Sequence, residues 1–213
     1  MTQKIKTVIL ARGGSKGIPR KNIIDINGKP LIQYTIEAAK ASKAKDVYVS
    51  TDCAAIMRAT IDANANVLMR PKYLSLDNTQ SEDALLHFAN AVSFEILVFI
   101  QPTSPVLLPE DIDKGIDMMG EYDSVFSAHK EHWIPRWTLD GKPDGWSTES
   151  RPMRQDRKER WVENGAVYIT TREQLEKSKL RYSGNIGILE MPIHRSFQID
   201  TMDDLELVKK CLN

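Results

Sequence analysis

Cysteine is scarce in this chain. Only Cys53 and Cys211 occur, and neither sits in a Cys-x-x-Cys pair or a Cys/His cluster. That spacing argues against a zinc site and against a dithiol redox motif. Two free thiols in a reducing compartment is the plainer reading, with a disulfide as the alternative. Long apolar spans are missing too, so nothing reads as a membrane-crossing helix. The first residues enter a strand-like run at once, with no signal-peptide core. A cytoplasmic protein with no membrane association is expected. Net charge is also absent, since 29 Lys and Arg balance 29 Asp and Glu. Bulk electrostatics therefore predict no nucleic acid and no anionic membrane as partner, leaving only local clusters to consider. The four histidines, His87, His129, His132 and His194, show no triad partner. No internal repeat and no low-complexity segment is present.

What remains is an ordinary globular composition over 213 residues. That length is enough for a full core in one domain, 1–213. Short apolar runs predict strands at 7–11, 46–51, 67–69, 96–100, 124–128, 167–171 and 185–190. Helical spacing is expected from residue 31 onward and at 54–63, 81–92, 111–119, 172–179 and 202–212. Pro30 suits a first helical position. Thr201, followed by acidic residues, suits an N-cap. Five apolar residues at 96–100 fit a central parallel strand. Alternation of strands and helices predicts an α/β fold with an open, mostly parallel sheet. Ligands of such sheets sit beyond the carboxyl ends of the strands. Arg12, Asp52 and Gln101 each follow a predicted strand, which argues for one site. Residues 129–161 break the rhythm with Trp133, Trp137, Trp146 and a charge run, and read as an inserted arm or lid.

The first strand runs into LARGGSKGIPRKN at residues 10–22. Gly13, Gly14 and Gly17 let backbone N–H groups approach an anion. Arg12, Lys16, Arg20 and Lys21 add positive charge, and a triphosphate needs both features. The pattern is not a P-loop, because Ile18 and Pro19 follow Gly17, and it is not G-x-G-x-x-G. An NTPase and a dinucleotide enzyme are thereby disfavoured.

ARGGSKGIPRKN, followed by NGKPLIQYTIEAA, resembles the CMP-sialic acid synthetase family, which includes enzymes for legionaminic and other nonulosonic acids. The resemblance continues through VSTD at 49–52, Arg70-Pro71 with Asp77 and Ser81, FIQPTSP at 99–105 and Arg154-Gln155. It ends with NGAVY at 164–168 and IDT at 199–201 with Asp204-Leu205. It implies a Rossmann-like nucleotidyltransferase (nucleotide-diphospho-sugar transferase) fold with a small inserted dimerisation or lid segment. The implied activity is a cytidylyltransferase joining a nonulosonic acid to the CMP part of CTP. By the same resemblance, Arg12, Lys16 and Lys21 contact the phosphates, aided by Gly13, Gly14 and Ser15. Asn22, Arg70 and Ser81 fall near the base and ribose. Gln101, Arg154 and Asn164 face the sugar acid, and Asp200 binds Mg2+. Arg12, Lys16, Lys21 and Asp200 form the catalytic set. A homodimer is implied, with 129–161 reaching toward the partner; a self-contained lid is the alternative.

For several positions a structural role competes. Ser81 and Asp52 each suit a helix N-cap, Arg70 a surface salt bridge, and Arg154 one more charge in a solvated run. Asp52 is a second candidate for the metal. Two departures stand out. Gln198 lies where relatives commonly carry Asp, and Val162 where several carry Arg. The alternatives are a same-fold nucleotidyltransferase for another sugar or base, or a non-catalytic nucleotide-binding relative.

Overall fold

A computed structural model describes residues 4–132, 135–156 and 158–212. The chain runs β1 (Ile5–Leu10), a tight hairpin of β2 (Asp25–Ile26) and β3 (Lys29–Pro30), α1 (Leu31–Lys40), β4 (Val47–Thr51), α2 (Ala54–Asp62) and β5 (Asn66–Met69). It continues with α3 (Ser81–Ala91), β6 (Ile96–Ile100), α4 (Pro109–Met118), β7 (Ser124–Lys130), β8 (Arg136–Trp137) and β9 (Pro143–Asp144). The last elements are β10 (Trp161–Thr171), α5 (Arg172–Ser178), β11 (Ile186–Glu190) and α6 (Met202–Cys211).

Seven strands form one sheet in the order β11-β7-β10-β6-β1-β4-β5. Each central strand is apolar on both sides, because helices cover both faces. Ile9, Val98 and Ile100 face α1, α2 and α4. Their alternates Val8, Leu97 and Phe99 face α3 and α5. The chain leaves β1 for β4 and β5 on one side, then returns to β6 on the other. The order therefore reverses between β1 and β6, the place where open α/β sheets bind ligands.

The sheet is mostly parallel, but β10 runs antiparallel to both β6 and β7. It also starts at Trp161 rather than 167, and β7 extends to Lys130, so the inserted segment is shorter than expected. The early half of β10 carries no apolar run, and its register against β7 shifts between Glu163 and Tyr168, where Gly165 takes φ 69°. Within the insertion, β8 and β9 form a small hairpin, with Trp137 and Trp146 edge to face at 4.9 Å. Trp133 lies outside the described residues. Pro30 precedes α1 at the cap position instead of entering it. Thr201 does cap α6: its Oγ1 accepts from the Asp204 N–H at 3.2 Å, and Asp204 accepts in return from the Thr201 N–H at 2.7 Å. Cys53 and Cys211 are free thiols. Among the described residues no helix is long and apolar enough to cross a membrane.

Candidate functional site

An open cleft of about 580 Å³ lies beyond the carboxyl ends of β1 and β6. Arg12, Ser15, Lys16, Lys21 and Asn22 line it from the first loop. Arg70, Ser81, Gln101, Gln198 and Asp200 line it from elsewhere. Residues up to 188 positions apart in sequence thus share one wall-to-wall space, and the loop faces Gln101 and Asp200.

The loop is pinned by packing. Ile18 is buried in a cluster with Ile26, Leu31, Val106, Ile199 and Leu205. An apolar side chain in an otherwise polar, basic loop is the sequence signal for such an anchor, although motif reading passes over it. Gly17 then lies so close to the chain before α6 that a Cβ on it would stand 2.5 Å from the Asp200 carbonyl oxygen. Asn22, 6% exposed, donates from Nδ2 to the Arg12 carbonyl at 2.9 Å and ties the two ends of the loop together. Gly13 donates its N–H to Asp52 Oδ1 at 2.9 Å, so that amide is spent inside the fold. Asp52 consequently anchors the loop; Cys53 holds the cap position of α2. Gly14 has open space around it.

The cations are held by carboxylates. Arg12 Nη1 meets Asp77 at 2.6 Å and Lys16 Nζ meets the other oxygen at 3.1 Å. Hydrogen bonds from Lys16 and Arg12 keep the Asp77 carboxyl below its ordinary range. Lys21 pairs with Asp200 at 2.7 Å. Arg70 is 7% exposed, and its buried Nε has no hydrogen-bond partner among the described residues. Burial lowers its pKa, the Asp52 charge opposes that, and the Arg12 charge adds to it. A buried guanidinium with an unused donor beside a cleft is costly unless a ligand or water completes it. Ser75, which receives a 3.4 Å hydrogen bond from Arg12 on its carbonyl, has a buried hydroxyl in the same condition. Ser81 is the first residue of α3; Gln80 takes the cap position, so the Ser81 hydroxyl is not needed there.

Of the other two expected sugar contacts, one has its side-chain amide engaged inside the fold and the other has a side chain outside the described residues. Asn164 is 6% exposed and sits beneath the cleft. Its Oδ1 accepts from Ser127 Oγ at 2.5 Å and the Ala166 N–H at 3.1 Å, while Nδ2 donates to Ser196 Oγ at 2.9 Å. Its carboxamide is committed to holding β10 against β7 and the chain before α6. Arg154 falls in a short 3-10 turn, Arg154–Asp156; its side chain is outside the described residues.

A cleft with three cations, a buried guanidinium whose Nε is unused and a pinned glycine loop is built for a polyanion. The fold matches that of a solved CMP:2-keto-3-deoxy-manno-octonic acid synthetase complexed with CTP, with a TM-score of 0.74, 21% identity and 98% of each chain covered. The family pattern described as Cytidylyltransferase matches residues 7–206, and the chain belongs to that family. It is 36% identical over 210 residues to N-acylneuraminate cytidylyltransferase A of Danio rerio, covering 93% of this chain and 48% of that protein. It is 38% identical over 207 residues to N-acylneuraminate cytidylyltransferase of Oncorhynchus mykiss, covering 92% and 47%. The chain spans about half the length of these relatives.

Proposed function

We propose that this protein transfers CMP from CTP to the anomeric hydroxyl of a nonulosonic, sialic-acid-like sugar acid. The hydroxyl oxygen bonds to the α-phosphorus, the bond to the β-phosphate oxygen breaks, and pyrophosphate leaves with that electron pair. The hydroxyl proton goes to solvent. The observation that carries this reading is convergence: Arg12, Lys16, Lys21, Arg70 and Asp200 meet in one cleft in a chain of the cytidylyltransferase family. The names of the vertebrate relatives support the choice of acceptor.

Transfers at phosphorus depend on position and charge neutralisation. Arg12, Lys16 and Lys21, with Ser15 and the Gly14 amide, take the phosphates; one such donor is worth ~10²–10³-fold when it acts in the transition state. The Gly13 amide contributes indirectly, through Asp52. Asp77 and Asp200 hold these cations until the nucleotide arrives, so phosphate oxygens replace Asp77 on Arg12 and Lys16. Arg70 and Ser81 face the base and ribose, and Gln101 faces the sugar acid. Among the described residues no three His, Cys, Asp or Glu cluster as a metal cage. A lone exposed carboxylate still fits Mg2+, which takes one or two carboxylates together with phosphates and water. Asp200 would hold it, and Mg2+ would supply further neutralisation of phosphate charge. The protein acts in the cytoplasm as a homodimer, with the exposed aromatics of the 135–161 segment at the interface.

The test is pyrophosphate release with CTP, UTP or GTP, Mg2+ and a panel of nonulosonic acids. Release that requires both CTP and a sugar acid is expected. Turnover with UTP or GTP alone points to another same-fold nucleotidyltransferase. CTP binding without turnover on every acid points to a non-catalytic relative.

A further inference from the structure

Two glutamine side chains meet above Gly165. This glycine has φ 69°, and a Cβ there would collide with Gln198 Nε2 and stand 3.1 Å from Gln101 Oε1. The bare α-carbon is what lets both carboxamides lie across the β10 bulge.

Their orientation follows from hydrogen-bond polarity. The Asn164 backbone carbonyl offers only lone pairs, so the carboxamide that meets it must present its NH2. Gln198 Nε2 donates to that carbonyl. The same NH2 lies 3.4 Å from Gln101 Oε1, its second acceptor. Asn164 is itself fixed by Ser127, Ala166 and Ser196, so the chain of donors starts from a rigid point. With its oxygen drawn toward Gln198, Gln101 has its own NH2 left for the cleft that it lines. A free glutamine can turn over and offer either end; a locked one offers donors only.

We infer that Gln198 is a positioning residue that locks Gln101 with its NH2 toward the cleft, where it reads an acceptor oxygen of the incoming sugar acid, the carboxylate foremost. This rests on the CMP-transfer reading. The lock also removes Gln198 from the metal. An acidic side chain at 198 would set lone pairs against the Asn164 carbonyl and have to turn away; glutamine instead docks there. Asp200 is left as the metal carboxylate of this segment.

The experiment uses Gln198→Leu and, should that variant melt early, Gln198→Met, which keeps the side-chain length, loses the donors and adds no charge near Asp200. Three quantities are read: KM for the sugar acid, the dissociation constant for CTP, and the Mg2+ concentration giving half-maximal rate. The lock predicts about a tenfold rise in KM for the sugar acid, the scale of one charge-assisted hydrogen bond. CTP affinity and Mg2+ demand stay within twofold. Gln101→Leu gives a similar rise, and the double variant gives little more, because the two residues act as one unit. An unchanged KM for the sugar acid, a shift in Mg2+ demand instead, or additive effects would overturn the inference. The lock is also readable without turnover. Side-chain amide NMR of Gln101 in the CTP-bound protein should shift in Gln198→Leu, and an unmoved signal refutes the contact. Absence of turnover in the parent on every sugar acid counts against CMP transfer and leaves the amide measurement to decide the lock.

Discussion

Gly17→Ala isolates the contact that brings the loop to Asp200. The backbone at Gly17 is not in the left-handed region, so alanine meets no torsional obstacle there. The obstacle is steric. The new Cβ would stand 2.5 Å from the Asp200 carbonyl oxygen, about 0.9 Å short of the 3.4 Å at which ordinary contact begins. That neighbour is backbone and cannot rotate away, so the loop or the chain before α6 must shift. Overpacking of this kind costs ~1–3 kcal/mol. For a chain of this size that is a fall in Tm of roughly 2–4 °C per kcal/mol. The functional cost is larger in proportion. A shift near 1 Å displaces Lys21 and the loop amides relative to Asp200, which Lys21 now meets at 2.7 Å, and misplacement on that scale costs ~10²-fold. The assay is kcat/KM from pyrophosphate release, with thermal melting in parallel. A loss of about 10²-fold with a folded protein is expected. Gly14→Ala, where an added methyl meets nothing within 4 Å, controls for stability and should melt like the parent. Gly17→Ala with kcat/KM within twofold of the parent would refute the idea that this close approach sets the catalytic geometry.

Other perturbations separate the parts. Asp77→Asn removes the carboxylate that Arg12 and Lys16 share, so CTP and pyrophosphate should both bind more tightly by isothermal calorimetry; weaker CTP binding would show that Asp77 works with the bound nucleotide. Asp200→Asn keeps the shape and the Thr201–Asp204 cap, so it should lose at least ~100-fold in turnover with little change in Tm; normal activity would remove Asp200 from the chemistry. Burial alone would raise the Glu82 pKa, but its hydrogen bonds with Arg181, at 2.6 and 3.0 Å, together with backbone hydrogen bonds and the Arg181 charge, outweigh that and leave it lowered. A carboxyl with a lowered folded pKa contributes stability that is complete above its unfolded value of ~4.3 and fades as pH falls through the folded value. Glu82→Gln should therefore lower Tm at neutral pH and flatten its decline below about pH 4.5; an unchanged acid limb would count against the pair.

Local chemistry explains which features were readable from the chain. The apolar runs of β1 and β6 and the Thr201 cap carry short-range signals, and the glycine loop follows β1 as expected. Strand direction carries no such signal. The antiparallel placement of β10 comes from its crossing between β6 and β7, and its polar first half hides behind the Gly165 bulge. Asn164 illustrates the limit of motif reading. It sits in the matched NGAVY segment, yet its amide faces Ser127 and Ser196, which nothing local to it reveals. The pairing of Arg12 with Asp77 spans 65 positions and depends on how residues 71–80 fold back over the loop. Ser81 and Gln80 differ by one residue at the start of α3, a distinction finer than capping preferences resolve.

Transfer of the α-phosphate can be followed by label. CTP carrying 32P on its α-phosphorus is incubated with the protein, Mg2+ and a nonulosonic acid, and the products are separated. Label should move into a new sugar-linked CMP, and the released pyrophosphate should carry none. Label that stays in CTP on every sugar acid, or that leaves as free CMP whether or not a sugar acid is present, would contradict CMP transfer.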